Sequence, residues 1–108
     1  MTWTGTVNYN VATGAQTIVT GTYGGLTLSN TSGTNAAAGD LTVATKLTTT
    51  AGGTLSMGTN QLIDAGATYT NNGTIVTANT GGTPIPSGVT WGGTIEYSSA
   101  TGGQTIAG

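Results

Sequence analysis

Only four side chains of this 108-residue sequence carry formal charge: Lys46 and the acids Asp40, Asp64 and Glu96. His and Cys are absent. Nucleophiles that need an imidazole base cannot be assembled, and neither can a zinc ligand set. Two carboxylates can in principle flank a glycosidic bond, but the cationic and aromatic support of a sugar-cleaving site is thin here. Asp40 or Asp64 with backbone carbonyls could meet calcium, yet no loop pattern supports it. The Gly-Gly pairs lack the Lys that a phosphate-cradling loop requires. The expectation is a protein that is not an enzyme and takes no cofactor or metal.

One set of residues does suit covalent chemistry. A neutral, buried lysine amine can attack a side-chain amide that a protonated carboxylic acid polarises, giving an isopeptide bond with loss of ammonia. Lys46 is the only candidate nucleophile, with Asn8 as acceptor and Glu96 as acid. Asn8 and Glu96 enter because they hold matched positions in two related segments. The plainer reading makes Lys46 an exposed, solubilising residue on a strand, and other asparagines compete with Asn8.

Those segments are residues 3–20, WTGTVNYNVATGAQTIVT, and 91–108, WGGTIEYSSATGGQTIAG. They align without a gap at an offset of 91 − 3 = 88, with ten of eighteen positions identical. The scarce residues match: Trp3 with Trp91, Tyr9 with Tyr97, and Gln16 with Gln104. This repeat is the strongest internal signal in the chain. Each copy reads as strand, turn, strand: Gly5–Asn10 and Gln16–Thr20 around Gly14, then Thr94–Ser98 and Gln104–Ala107 around Gly102-Gly103.

Elements that could position these residues must be β-strands. A quarter of the chain is Thr (27 residues), 20 residues are Gly, and Leu, Ile and Val number six each. Thr is β-branched and suits a pleated surface, while Gly in a helix interior costs roughly 1 kcal/mol relative to Ala. No window shows 3.6-residue periodicity; short alternating runs bounded by Gly and Asn recur instead. Further strands are expected at Leu26–Ser29, Leu41–Leu47, Thr54–Met57, Leu62–Asp64 and Thr74–Ala78. Turns are expected at Gly24-Gly25, Gly39-Asp40, Gly52-Gly53, Asn72-Gly73 and Gly81-Gly82. Pro84 and Pro86 mark a loop before the second copy. The expected fold is all-β, either β-solenoid-like or a small β-sandwich, in a single domain over residues 1–108 with related terminal segments.

Runs such as GTYGGLTLSN, GDLTVATKLTTTAGGTLSMG and GGTIEYSSATGGQTI resemble the repetitive secreted β-solenoid proteins of bacterial surfaces and biofilm matrices. That resemblance implies an extracellular fibre or adhesin. Some secreted bacterial fibre proteins carry Lys–Asn cross-links, which fits the candidate set around Lys46. Irregular rung lengths depart from the regular pattern of the class and leave a sandwich-like subunit open.

Charge content limits partners. One cation cannot neutralise a row of phosphates, so nucleic acid is not an expected partner. No run reaches the ~20 apolar residues of a membrane span, and no export signal is visible. Low net charge, −2, with strong β propensity favours folding over disorder. A chain with one Lys and two clustered prolines also leaves its sheet edges unguarded. The leading expectation is therefore a self-assembling structural subunit, joined head to tail by strand addition, with itself as partner. Trp3, Tyr9, Trp91 and Tyr97 are the expected assembly contacts. Surface glycans are the alternative partner, with aromatics as stacking platforms; the chain would then be an adhesin module or one unit of a tandem array. Ice binding is disfavoured, because Thr-x-Thr triplets beginning at Thr4, Thr20, Thr48 and Thr68 have no constant spacing.

Overall fold

A computed structural model describes residues 1–104 and Ile106. Ten strands, β1 Thr2–Tyr9, β2 Thr17–Ile18, β3 Gly21–Leu28, β4 Thr34–Ala37, β5 Leu41–Thr48, β6 Thr54–Ser56, β7 Leu62–Asp64, β8 Thr68–Thr70, β9 Thr74–Thr77 and β10 Thr94–Tyr97, follow one another without a helix among the described residues. All of their pairings are parallel. The chain winds as a β-solenoid of about five turns; the sandwich alternative is excluded by this topology. The strand expected over Gln104–Ala107 lies largely outside the described residues.

Two sheets form the walls. The first has the order β1-β3-β5-β7, with β8 also on β5; the second has the order β10-β9-β6-β4-β2. One turn takes about 20 residues, as Thr2↔Thr22 in the first sheet and Thr54↔Thr74 in the second show. Parallel strands require long crossovers, and here each crossover is the opposite wall.

Like side chains therefore stack in columns. Inward on the second sheet stand Asn35, Leu55, Ile75 and Ile95; beside them, facing out, run Thr34, Thr54, Thr74 and Thr94. The Thr column does have a constant spacing of 20, but its residues are not the triplets singled out by sequence, and its outward neighbours are Ala36, Ser56, Val76 and Glu96. On the first sheet Leu26 and Leu47 lead to Tyr69. Leu62 donates its backbone N–H to Pro84, which sets fully buried Ile85 over Leu62. The expected loop at Pro84 and Pro86 is thus buried and roofs the first sheet.

Corners are held by buried polar groups. Thr49 Oγ1 donates to Asn71 Oδ1 at 2.5 Å and accepts from the backbone N–H groups of Asn72 and Gly73. Asn35, fully buried, donates to Asn30 and accepts from the N–H of Gln16. Buried polar atoms persist only when satisfied, so these asparagines fix the corner path. Gly73 shows why this path needs glycine: a Cβ there would lie 2.4 Å from the carbonyl oxygen of Gly53, one turn below.

Candidate functional site

No pocket opens among the described residues, and no group of three or more His, Cys, Asp or Glu side chains is placed to hold a metal ion. What the fold does expose is two open ends. Among the described residues, at one end β1 pairs only with β3 and β2 only with β4, and at the other β10 pairs with β9 alone of the strands. These pairings leave the outer N–H and C=O groups of eight-residue β1 without a strand partner among the described residues. β1 contains no charge and no proline, the features that usually blunt an edge.

The related segments sit at these two ends but on different walls. Thr6–Tyr9 lies in the first sheet, Thr94–Tyr97 in the second. Their local structure is nonetheless shared. In the first copy Gln16 Oε1 accepts from the N–H of Val11 at 3.0 Å; in the second Gln104 Oε1 accepts from Ser99 at 2.7 Å. Consecutive residues with positive φ precede each glutamine: Gly14 (71°) and Ala15 (62°), then Gly102 (68°) and Gly103 (71°). Ala15 is the one such non-glycine among the described residues, and the second copy has Gly at that place.

The four aromatics named from sequence all lie at the ends, half-buried against the core. Trp3 stacks on Tyr23, centroids 4.5 Å apart at 22°, and Trp91 tilts against Tyr69 at 5.2 Å. Tyr9 shares a 3.1 Å hydrogen bond with Tyr23, whose hydroxyl donates to the Val19 carbonyl. Burial and this pairing push the Tyr23 phenol well above the ordinary tyrosine range. Trp91 Nε1 is buried with no acceptor among the described residues.

Lys46, Asn8 and Glu96 stand on three different strands. Lys46 is exposed on β5, in register with Gly25 and Thr68; Asn8 is exposed on β1 and aligns with Thr27. Glu96 is exposed on β10, on the other wall and at the other end. A single chain does not bring the three together.

The hydrogen-bonded setting of Asp64 was not foreseen from sequence. Asp64 Oδ1 accepts from the Gly66 N–H and from the Tyr69 hydroxyl, both at 2.9 Å. The Gly66 N–H, then the Tyr69 hydroxyl, hold the Asp64 carboxyl below its usual range. Burial first, then the neighbouring carboxylate, raise the Tyr69 phenol. The Asp-x-Gly spacing from Asp64 to Gly66 could have signalled the turn; the tyrosine five residues on could not.

Among the described residues no helix is long and apolar enough to cross a membrane. Comparison with protein-family models, with curated protein sequences and with solved structures finds no match. A β-solenoid fold is consistent with a repetitive structural or surface protein.

Proposed function

We propose that the chain is the structural subunit of a self-assembling extracellular fibre of a biofilm matrix or cell surface, joined head to tail by strand addition. The observation that carries this reading is β1: eight uncharged residues on an open edge, at the opposite end of the stack from β10. Backbone groups left unpaired on such an edge are a template for another strand. A contact between unlike ends propagates unless it closes into a ring.

The cross-link belongs to this reading only in a form between subunits. Lys46 is exposed in mid-stack on the first wall, so its Nζ would bond to Asn8 Cγ of a copy in a neighbouring filament, and the proton the amine loses would pass by way of Glu96 to the amide nitrogen, which leaves as ammonia. Its expected signature is SDS-resistant ladders that have lost one ammonia per bond, and Lys46→Arg abolishes them.

Negative-stain electron microscopy of the purified chain across a concentration series tests the fibre itself. Uniform unbranched filaments are the expected outcome. Monodisperse particles at every concentration would reject it and leave the adhesin or array-unit reading, to be followed by glycan-binding measurements.

A further inference from the structure

We infer that the fibre junction is β1 of one copy laid on β10 of the next in the register set by the 88-residue offset, so that Thr6 sits over Thr94, Val7 over Ile95 and Tyr9 over Tyr97. This rests on the fibre reading and specifies its interface.

Each column of the second sheet then gains a residue of its own kind. Thr34, Thr54, Thr74 and Thr94 continue into Thr6, and the inward Leu55, Ile75 and Ile95 continue into Val7. Asn8, exposed in one chain, comes to lie over exposed Glu96, an amide donor above a carboxylate acceptor. Two residues separate Trp3 from Thr6 and two separate Trp91 from Thr94. The same offset places Trp3 over Trp91, although Trp3 lies inside β1 and Trp91 precedes β10. The Tyr69–Trp91 and Trp3–Tyr23 pairs then lie on the two sides of the junction.

Gln16 supplies an independent observation. Besides the turn bond that both copies share, Gln104 Nε2 donates to the carbonyls of Thr77 and Asn79 at 2.9 and 3.1 Å, on the turn below. Gln16 makes the turn bond, but its Nε2 meets no acceptor among the described residues, because β1 has no turn below it. In the proposed register Thr77 and Asn79 are replaced by Tyr97 and Ser99 of the other copy. Their carbonyls accept from Gln16 as the earlier pair accepts from Gln104.

Gly5 supplies another. A Cβ on Gly73 would meet Gly53 O at 2.4 Å, and one on Gly93 would meet Gly73 O at 2.4 Å, whereas one on Gly5 meets nothing within 4 Å. Within the single chain no contact requires glycine at position 5. Over Gly93 it continues the glycine column.

The alternative contact, first sheet on first sheet, meets the buried Pro84-Ile85-Pro86 segment, where proline offers no N–H to a ladder. The large apolar side chains left exposed also lie toward the ends: Met1 (81%), Val11, Val19 and Ile106 (66%). Ile106 is the repeat counterpart of fully buried Ile18.

This register dictates the helix. At about 20 residues a turn, an offset of 88 is 4.4 turns, and stacking adds one more. Successive copies are then related by a rise of ~26 Å, from 5.4 rungs of ~4.8 Å, and a rotation of ~0.4 of a turn.

The test is helical reconstruction of the filaments by electron cryomicroscopy, with two variants. Gln16→Glu keeps the oxygen that serves Val11 and removes the donor; Gly5→Val adds a side chain where the single chain has room. Both are expected to keep the wild-type circular dichroism spectrum and melting temperature. Both should raise the concentration needed for assembly by roughly tenfold or more, each lost hydrogen bond being worth about a factor of five. A reconstruction with the stated rise and rotation supports the junction. Filaments with no rotation between subunits, or variants that assemble like wild type, overturn this junction and leave the fibre reading standing. Absence of filaments from folded wild-type protein rejects both.

Discussion

Asp64 shows how one exposed residue makes stability depend on acidity. Its folded-state pKa lies below the ordinary 3.8. Its stabilisation is therefore complete above that value and is lost as pH falls through the lower folded one. As pH falls below about 4 the melting temperature should fall, and Asp64→Asn, which cannot titrate, should flatten that fall. Thr49 is the stronger residue-scale prediction. Thr49→Val keeps the volume but strips one acceptor and one donor from a buried corner that serves Asn71, Asn72 and Gly73. Leaving such groups unsatisfied costs ~1–3 kcal/mol each. A loss of about 3 kcal/mol is expected, read as a lower urea midpoint at unchanged slope.

At the scale of elements, the core is a set of columns one side chain wide, so a cavity in a middle turn cannot be filled from elsewhere. Leu55→Ala, between Asn35 and Ile75, should cost ~2–5 kcal/mol by urea denaturation. The sequence made several of these elements plain. Leu62–Asp64 forms strand β7 as alternation predicts, and the runs starting at Leu41, Thr54 and Thr74 become β5, β6 and β9 within a residue or two. It hid β4, whose TNAA sequence has no large apolar residue because buried Asn35 and small Ala37 face inward. It misread Gly24-Gly25 as a turn. These glycines lie inside β3, where a Cβ on Gly24 would strike the Thr4 carbonyl at 2.3 Å; close approach of the neighbouring strand, not reversal, requires them. The related end segments were legible as local structure but not as position. An offset of 88 is not a whole number of 20-residue turns, so Thr6–Tyr9 and Thr94–Tyr97 land on different walls. Only the rung length, which no repeat in the sequence states, reveals that.

For the whole molecule, a stack in which each turn touches only its neighbours approaches one-dimensional behaviour. Amide hydrogen exchange on dilute, unassembled protein should be slowest in β5 and β6 and fastest in β1, β2 and β10, since end turns have a neighbour on one side only. Assembly should slow β1 and β10 selectively; uniform slowing along the chain would contradict a junction at those strands. The candidate site was legible only in part. Trp3, Tyr9, Trp91 and Tyr97 drew notice because aromatics are rare here, whereas Gln16 and Gly5 gain meaning only from the partners that Gln104 and Gly93 have one turn below.

The backbone hydrogen bonds of both sheets run along the axis of the stack, not across it. Two kinds of mechanical load then meet two different resistances. Tension along a filament is shared at once by all the bonds of a layer, which must yield together. A pull on one free end of a chain loads those bonds one after another and unspools the turns in sequence. The same architecture is thus stiff when stretched and easily dismantled when unwound from an end.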